Sequence, residues 1–164
     1  MLLTLLLSII LMVGLFLILF AGVAFIQDKR LFTSAPKDVW QAIKPHPERF
    51  RGAHALGWTL AVLAVAIMMG AIVYAGWDGV RCGFTYADFL VRYMIMFLLL
   101  ETFDVLFFDL FLLTHSRFYQ HYYPETEGCA GFHSFGYNWK DHLKTTAACI
   151  LASLVLSGIC VLFK

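Results

Sequence analysis

Four apolar stretches separated by three more polar connectors make up the chain. The stretches run over about residues 2–25, 57–77, 89–114 and 143–163. Each is about 20 residues long or longer, which is what an α-helix needs to cross the hydrocarbon part of a bilayer. The pattern therefore predicts an all-α fold. We expect an integral membrane four-helix transmembrane bundle, with residues 1–164 forming a single transmembrane domain.

The composition agrees with a membrane location. Hydrophobic residues make up 61% of the chain and charged residues 14%, and the mean hydropathy is +0.78. A soluble domain is closer to half apolar and a quarter charged. The net charge is only +1 and basic residues do not form a patch, so no nucleic-acid partner is expected. The expected partners are the lipid bilayer and further copies of the chain in a homo-oligomer.

The first connector, residues 27–57, is polar and contains a short helical pattern. Ser34-Ala35-Pro36 is typical of a helix start, with proline in the first turn. The following residues predict a short interfacial helix over residues 38–43. Val39, Trp40 and Ile43 would lie on its lipid-facing side.

The distribution of basic residues predicts the orientation in the membrane. Nine of the twelve Lys and Arg residues lie in or beside the first and third connectors: Lys29, Arg30, Lys37, Lys44, Arg49, Arg51, Arg117, Lys140 and Lys144. The positive-inside rule places these connectors in the cytoplasm and both termini outside. All six histidines then lie near the cytoplasmic face of a multi-pass protein of the cytoplasmic membrane. Arg92, near the outer end of the third stretch, is expected to extend toward the lipid headgroups.

The third stretch carries the most unusual chemistry, because Glu101, Asp104, Asp109 and His115 lie in or at the end of an apolar run. A charge in hydrocarbon is costly, so such residues usually face a bundle interior and serve a function. On an α-helix, Glu101 and Asp104 are neighbours on one face at mid-membrane. Asp109 would lie about 140° around the axis from Asp104, and His115 would return to the face of Asp104 roughly 16 Å further on.

Three explanations of these acids remain open at the level of sequence. Carboxylates and imidazoles together could hold a divalent metal ion such as zinc, manganese or iron. A proton or ion could instead move along the acids, with Glu101 and Asp104 as its pathway. The acids could also be structural and hydrogen-bonded to Thr102, Tyr93 or the helix backbone.

Three helix ends would meet at the cytoplasmic face of such a bundle and could supply a metal site. The predicted metal ligands are Asp104, Asp109, His142 and His54. The predicted catalytic residues are Asp104, Asp109 and Glu127, because carboxylates beside a metal-bound water are the usual means of activating it.

Three short motifs in the second half of the chain carry a resemblance. These are Phe103-Asp-Val-Leu-Phe-Phe-Asp109, Pro124-Glu-Thr-Glu-Gly128 and Lys140-Asp-His142. The region of about residues 98–143 resembles small bacterial four-span integral membrane proteins of unassigned function. The resemblance implies that Asp104, Asp109, Glu127 and His142 belong to one site, and it implies no reaction or substrate.

The leading functional hypothesis is a membrane protein with a metal-binding carboxylate and histidine site at the cytoplasmic half of the bundle. Such a site suits a membrane-embedded enzyme that acts on an amphiphilic substrate, although the sequence leaves open whether the protein is an enzyme. One alternative is a proton- or ion-coupled transporter or channel that works as an oligomer. Another is a structural membrane subunit.

Overall fold

The structure, a computed structural model, describes residues 1–32 and 35–163 and is all-helical in that part. The α-helices are α1 (Leu2–Ala21), α2 (Lys37–Ala42), α3 (Ala53–Arg81), α4 (Tyr86–Phe103), α5 (Phe118–Tyr122) and α6 (Trp139–Leu162). Two segments are π-helical, Gly22–Ile26 and Asp104–His115. Three segments are short 3₁₀-helices, Lys29–Phe32, Pro124–Thr126 and Ala130–His133. The predicted helix start at Ser34 lies outside the described residues.

Three helical segments are long and apolar enough to cross a membrane: Leu2–Ile26, Ala53–Arg81 and Trp139–Leu162. They correspond to the first, second and fourth predicted spans. The predicted third span is helical, but α4 carries Asp88, Arg92 and Glu101 within 18 residues and is not among these three. The structure therefore supports three apolar spans, and the four-span bundle stays a prediction.

The chain divides into two compact units. Unit 1 comprises Met1–Leu15, Val65–Phe103 and Lys140–Lys164, and unit 2 comprises Phe16–Ala64 and Asp104–Trp139. The boundaries fall inside α1, inside α3, between α4 and the second π-helix, and after the first residue of α6. Each unit is described below by itself.

Unit 1 packs small and apolar residues inside and leaves large apolar residues outside. Its core includes Leu11, Phe89 and Met96, all with no exposed surface. Ser153 and Ser157, four residues apart on α6, are also fully buried, and their hydroxyls donate to backbone carbonyls one turn earlier. Small residues inside a helical bundle allow close helix packing in a membrane, where lipid can cover the large apolar side chains outside.

The start of α4 is set by local hydrogen bonds in unit 1. The Thr85 hydroxyl accepts the backbone N–H of Asp88 at 3.3 Å, and Asp88 accepts the backbone N–H of Thr85 at 2.9 Å. This reciprocal pair is a capping box, which satisfies N–H groups that have no partner within the helix. Gly83, with φ of +73°, allows the chain to turn from the end of α3 into this cap.

Arg92 is not extended toward headgroups as predicted, because it is buried inside unit 1 with 6% of its surface exposed. Its Nη1 donates to the carbonyl oxygen of Ala75 at 2.7 Å and to Oδ2 of Asp78 at 2.8 Å. Its guanidinium also lies 4.2 Å from the ring centre of Phe84. A carboxylate, a carbonyl and a ring face thus replace most of the water that Arg92 loses, and within the described residues only its Nε is buried without a partner.

Unit 2 contains the predicted helix of the first connector, as α2, but with a different buried face. Val39 and Ile43 are each only 4% exposed. Val39 packs with Leu113 and Phe132, and Ile43 packs in another cluster that includes Tyr123. The prediction that both side chains face lipid was wrong, because the aromatic residues of the third connector cover them.

Carboxylates tie the first connector of unit 2 to the third. Oδ2 of Asp38 accepts the backbone N–H of Gly131 at 2.8 Å, and Oε1 of Glu125 accepts the backbone N–H of Lys44 at 3.0 Å. Oε1 of Glu125 also lies 2.7 Å from Nε2 of His46. Burial opposes the charge of Glu125, but these hydrogen bonds outweigh it and lower the pKa of the carboxyl group.

Candidate metal centre

Glu101 and His142 form a hydrogen-bonded pair inside unit 1. Glu101 lies near the end of α4 and His142 lies in the first turn of α6. Nδ1 of His142 is 2.8 Å from Oε1 of Glu101, and the two side chains are 16% and 10% exposed.

Asp104 stands one turn beyond Glu101. It follows Glu101 by three residues, and the helix continues from α4 into the second π-helix at this point. Helix spacing therefore places its carboxylate on the side of the chain that carries Glu101. Glu101, Asp104 and His142 form a group that can hold a metal ion, and it is the one such group in residues 1–32 and 35–163. Carboxylate and imidazole ligands suit zinc, manganese and iron.

Asp109 lies in the second π-helix of unit 2, where the α-helical spacing assumed from the sequence does not hold. A π-helix bonds residue i to residue i+5 and has more residues per turn than an α-helix. The five positions from Asp104 to Asp109 are therefore closer to one full turn. The angle between the two residues around the helix axis is smaller than the predicted 140°. With π-helical spacing, His115 does not return to the face of Asp104. The prediction that the two residues share a face was therefore wrong.

The pKa of the Tyr119 hydroxyl depends on both aspartates, Asp104 and Asp109. Burial raises the pKa of the Tyr119 hydroxyl, and the charge of Asp109, the hydroxyl of Tyr137 and the charge of Asp104 raise it further. Both carboxylates must lie near one phenol for this effect to arise. Asp109 is not a member of the Glu101, Asp104 and His142 group. Its predicted roles as metal ligand and catalytic residue stay predictions.

The remaining predicted residues lie at exposed positions of unit 2. His54 is in the first turn of α3, with Nδ1 3.4 Å from Oε1 of Glu48 and 44% of its side chain exposed. Glu127 is exposed and lines a surface cavity together with His115 and His133. Neither His54 nor Glu127 is a member of the metal-binding group, so the single site implied by the resemblance stays a prediction.

The sequence did not single out Glu101 as a partner of His142. It assigned Glu101, with Asp104, to a mid-membrane ion pathway and His142 to the cytoplasmic mouth, and the structure joins the two residues directly. They are 41 positions apart, and no short motif links them. The sequence carried no signal for this pairing, because Glu101 lies in the middle of the predicted third span and the end of α4 at Phe103 is a feature of the structure.

Comparison with known proteins gave no match to the chain, whether against family models, curated proteins or solved structures. The functional conclusion below consequently depends on the geometry of the site.

Proposed function

We propose that the chain is a multi-pass membrane protein that binds a divalent metal ion through Glu101, Asp104 and His142. The observation that carries this proposal is the hydrogen bond between His142 and Glu101 at 2.8 Å, one helical turn from Asp104. Three side chains with metal-binding chemistry are thereby gathered in an otherwise apolar chain.

The ligand set explains why two neighbouring acids are tolerated. Two carboxylates in a medium of low dielectric repel each other unless a proton or a cation lies between them. A divalent ion would balance both charges.

The same proposal includes a fourth span formed by α4 and the second π-helix, with both termini outside. These two segments together exceed the roughly 20 residues that a span needs. Arg92 and Glu101 have partners within unit 1, which lowers the cost of placing them in a membrane. The excess of basic residues in the first and third connectors supports the orientation.

An enzymatic role on an amphiphile would extend this function. A bound divalent ion would supply a Lewis acid and a site for water. Glu101, Asp104 and His142 would hold the ion, and the carboxylates beside it could accept a proton from the water.

Proton transfer is the second function that the hydrogen bond favours. A histidine and a glutamate in direct contact can pass a proton between them without a metal, as proton relays in membranes do. Metal content separates the two functions, because only the first requires a bound ion.

The test is the metal content of the protein purified without added chelator. We expect stoichiometric zinc, manganese or iron by elemental analysis, and loss of the ion in Glu101→Gln and His142→Ala. The loss should exceed the roughly 10–100-fold drop in affinity that follows removal of a residue outside the ligand set. Asp141→Asn is the matched control, because Asp141 precedes His142 and forms an exposed pair with Lys144.

Wild-type protein that contains no metal and binds none on titration would contradict the proposal. So would metal content that Glu101→Gln and His142→Ala leave unchanged. If metal is absent but proton flux in proteoliposomes is reduced by Glu101→Gln and not by Asp141→Asn, the proton-transfer function replaces the metal-binding one.

A further inference from the structure

A cavity of about 300 Å³ opens on the surface of unit 2, at the end of the second π-helix. Its lining includes the basic residues His115, Arg117 and His133, together with Glu127 and Gln120. Leu113 and Phe132, both buried, supply an apolar wall. The cavity therefore combines donors, acceptors and an apolar surface in a space large enough for a small polar group.

The polar side chains of this cavity are largely unused by the protein itself. In the described residues, Arg117, Glu127 and His133 form no ion pair and no side-chain hydrogen bond, and Oε1 of Gln120 is buried without a partner. His115 is held differently, because its Nδ1 lies 2.7 Å from the carbonyl oxygen of Leu110. That contact makes Nδ1 the donor and leaves Nε2 as the remaining ring nitrogen.

These groups define what a ligand must offer. Arg117 is a fixed cation with a fork of donors that matches phosphate geometry, and His133, or His115 when its ring is protonated, can add a donor beside it. Glu127 and Oε1 of Gln120 can only accept, so they require an N–H or O–H from the ligand. A buried acceptor without a donor is costly, which means that a ligand with a donor at this point gains affinity.

We propose that this cavity binds a molecule that carries both a phosphate group and a primary amine. The phosphate contacts Arg117 with His115 or His133, and the ammonium group contacts Glu127 and Gln120. Two sources share this chemistry, the headgroup of an aminophospholipid and a water-soluble phosphate ester of an amino alcohol. The inference goes beyond the proposed metal function and does not rest on it.

The test measures binding to metal-free full-length protein, so its outcome is independent of the metal site. Glycerophosphoethanolamine, titrated by calorimetry, probes the soluble source. Phosphatidylethanolamine, counted by native mass spectrometry of the detergent-solubilised protein, probes the lipid source. Phosphatidylcholine lacks the N–H donors and phosphatidylglycerol lacks the amine, so both serve as comparison lipids.

Arg117→Gln should weaken binding of phosphatidylethanolamine and phosphatidylglycerol at least about tenfold, because a charged hydrogen bond to phosphate is lost. Glu127→Gln should weaken phosphatidylethanolamine about tenfold and phosphatidylglycerol less, because only the ammonium group loses an opposite charge and a hydroxyl can still donate to the amide oxygen. Arg51→Gln is the control, since Arg51 is an exposed base of unit 2 that does not line the cavity.

Tighter wild-type binding of phosphatidylethanolamine, or of its soluble analogue, than of phosphatidylcholine supports the proposal and identifies the source. Equal binding of all three lipids would overturn it. Unchanged binding in a folded Arg117→Gln variant would also overturn it. Should that variant not fold, the wild-type preference between phosphatidylethanolamine and phosphatidylcholine decides the question alone.

Discussion

The two units differ in how they accommodate charged side chains. In unit 1, the buried guanidinium of Arg92 is matched with a group of opposite charge, the carboxylate of Asp78. In unit 2, the carboxylates of Asp38 and Glu125 accept backbone N–H groups from other segments of the chain. Unit 1 thus balances charge, whereas unit 2 uses charge to satisfy the polar backbone of its connectors.

This difference follows from the kind of structure in each unit. In long helices nearly every backbone N–H has an intrahelical partner, so a carboxylate of unit 1 finds free N–H groups mainly at helix ends, as Asp88 does at the start of α4. Unit 2 is rich in short helices and turns, which leave N–H groups to be satisfied by side chains. Substitutions that remove one charge should therefore have a larger effect in unit 1.

Arg92→Met should have the largest effect on stability. It leaves Asp78, which is 22% exposed, without its cation, and breaking a buried ion pair costs roughly 3–5 kcal/mol. Because Asp78 keeps some contact with water, we expect about 3 kcal/mol in the free energy of unfolding, measured by denaturant titration in detergent. Arg81→Met is the control, since the Arg81 guanidinium only stacks on Trp77, 4.7 Å from the ring centre.

An equal loss of stability in Arg92→Met and Arg81→Met would contradict the expectation that unit 1 depends on paired buried charges. It would mean that the contact with Asp78 contributes no more than the packing of an arginine chain against an aromatic ring.

Glu125→Gln should have a smaller effect, because the amide keeps an oxygen that can accept the Lys44 N–H. We expect a loss of about 1–2 kcal/mol, which is the difference between a charged and a neutral acceptor. Since the folded-state pKa of Glu125 is lowered, its contribution is present above the ordinary carboxyl pKa and is lost as the pH falls through the lowered value. Unfolding measured across the acid range should show this slope in the wild type.

The variant Glu127→Gln provides the reference for that experiment, because Glu127 is exposed two residues further along the chain. Its acid slope should match the wild type, whereas that of Glu125→Gln should be flatter. Identical slopes in all three proteins would show that the contact between Glu125 and Lys44 does not stabilise unit 2.

Tyr123→Phe should have the smallest effect and the opposite sign. The Tyr123 hydroxyl is buried without a hydrogen-bond partner, and the residue is 1% exposed. Removing the hydroxyl should leave stability unchanged or raise it by up to about 1 kcal/mol. Burial raises the pKa of Tyr123, so above the ordinary tyrosine pKa of about 10 it destabilises the fold increasingly with pH. Alkaline unfolding should shift to higher pH in Tyr123→Phe and stay unchanged in Tyr122→Phe.

The sequence was a good guide to features that depend on local pattern. Runs of apolar residues predicted the long helices, and Pro36 marked the start of α2, which begins at the next residue. Ser153 and Ser157, small residues four positions apart, share one face of α6 and are fully buried. These features follow from spacing along the chain, which the sequence contains directly.

Features that depend on contacts between residues distant in sequence could not be predicted from local pattern. The placement of Val39 depends on Leu113 and Phe132, and that of Arg92 depends on Asp78 and Ala75. In the candidate site, the partner of Glu101 lies 41 positions away. An apolar residue on a short helix can face lipid or protein equally well, and only the covering residues decide which.

The second π-helix, Asp104–His115, has a consequence for mutation by insertion or deletion. A π-helix holds more residues per turn than an α-helix, so a deletion within it can be absorbed by tightening to α-helical bonding. Such a change of register would rotate Asp109 and His115 around the axis while Glu101 and His142 kept their contact. A deletion in this segment would therefore leave the segment helical and change the direction in which Asp109 and His115 point.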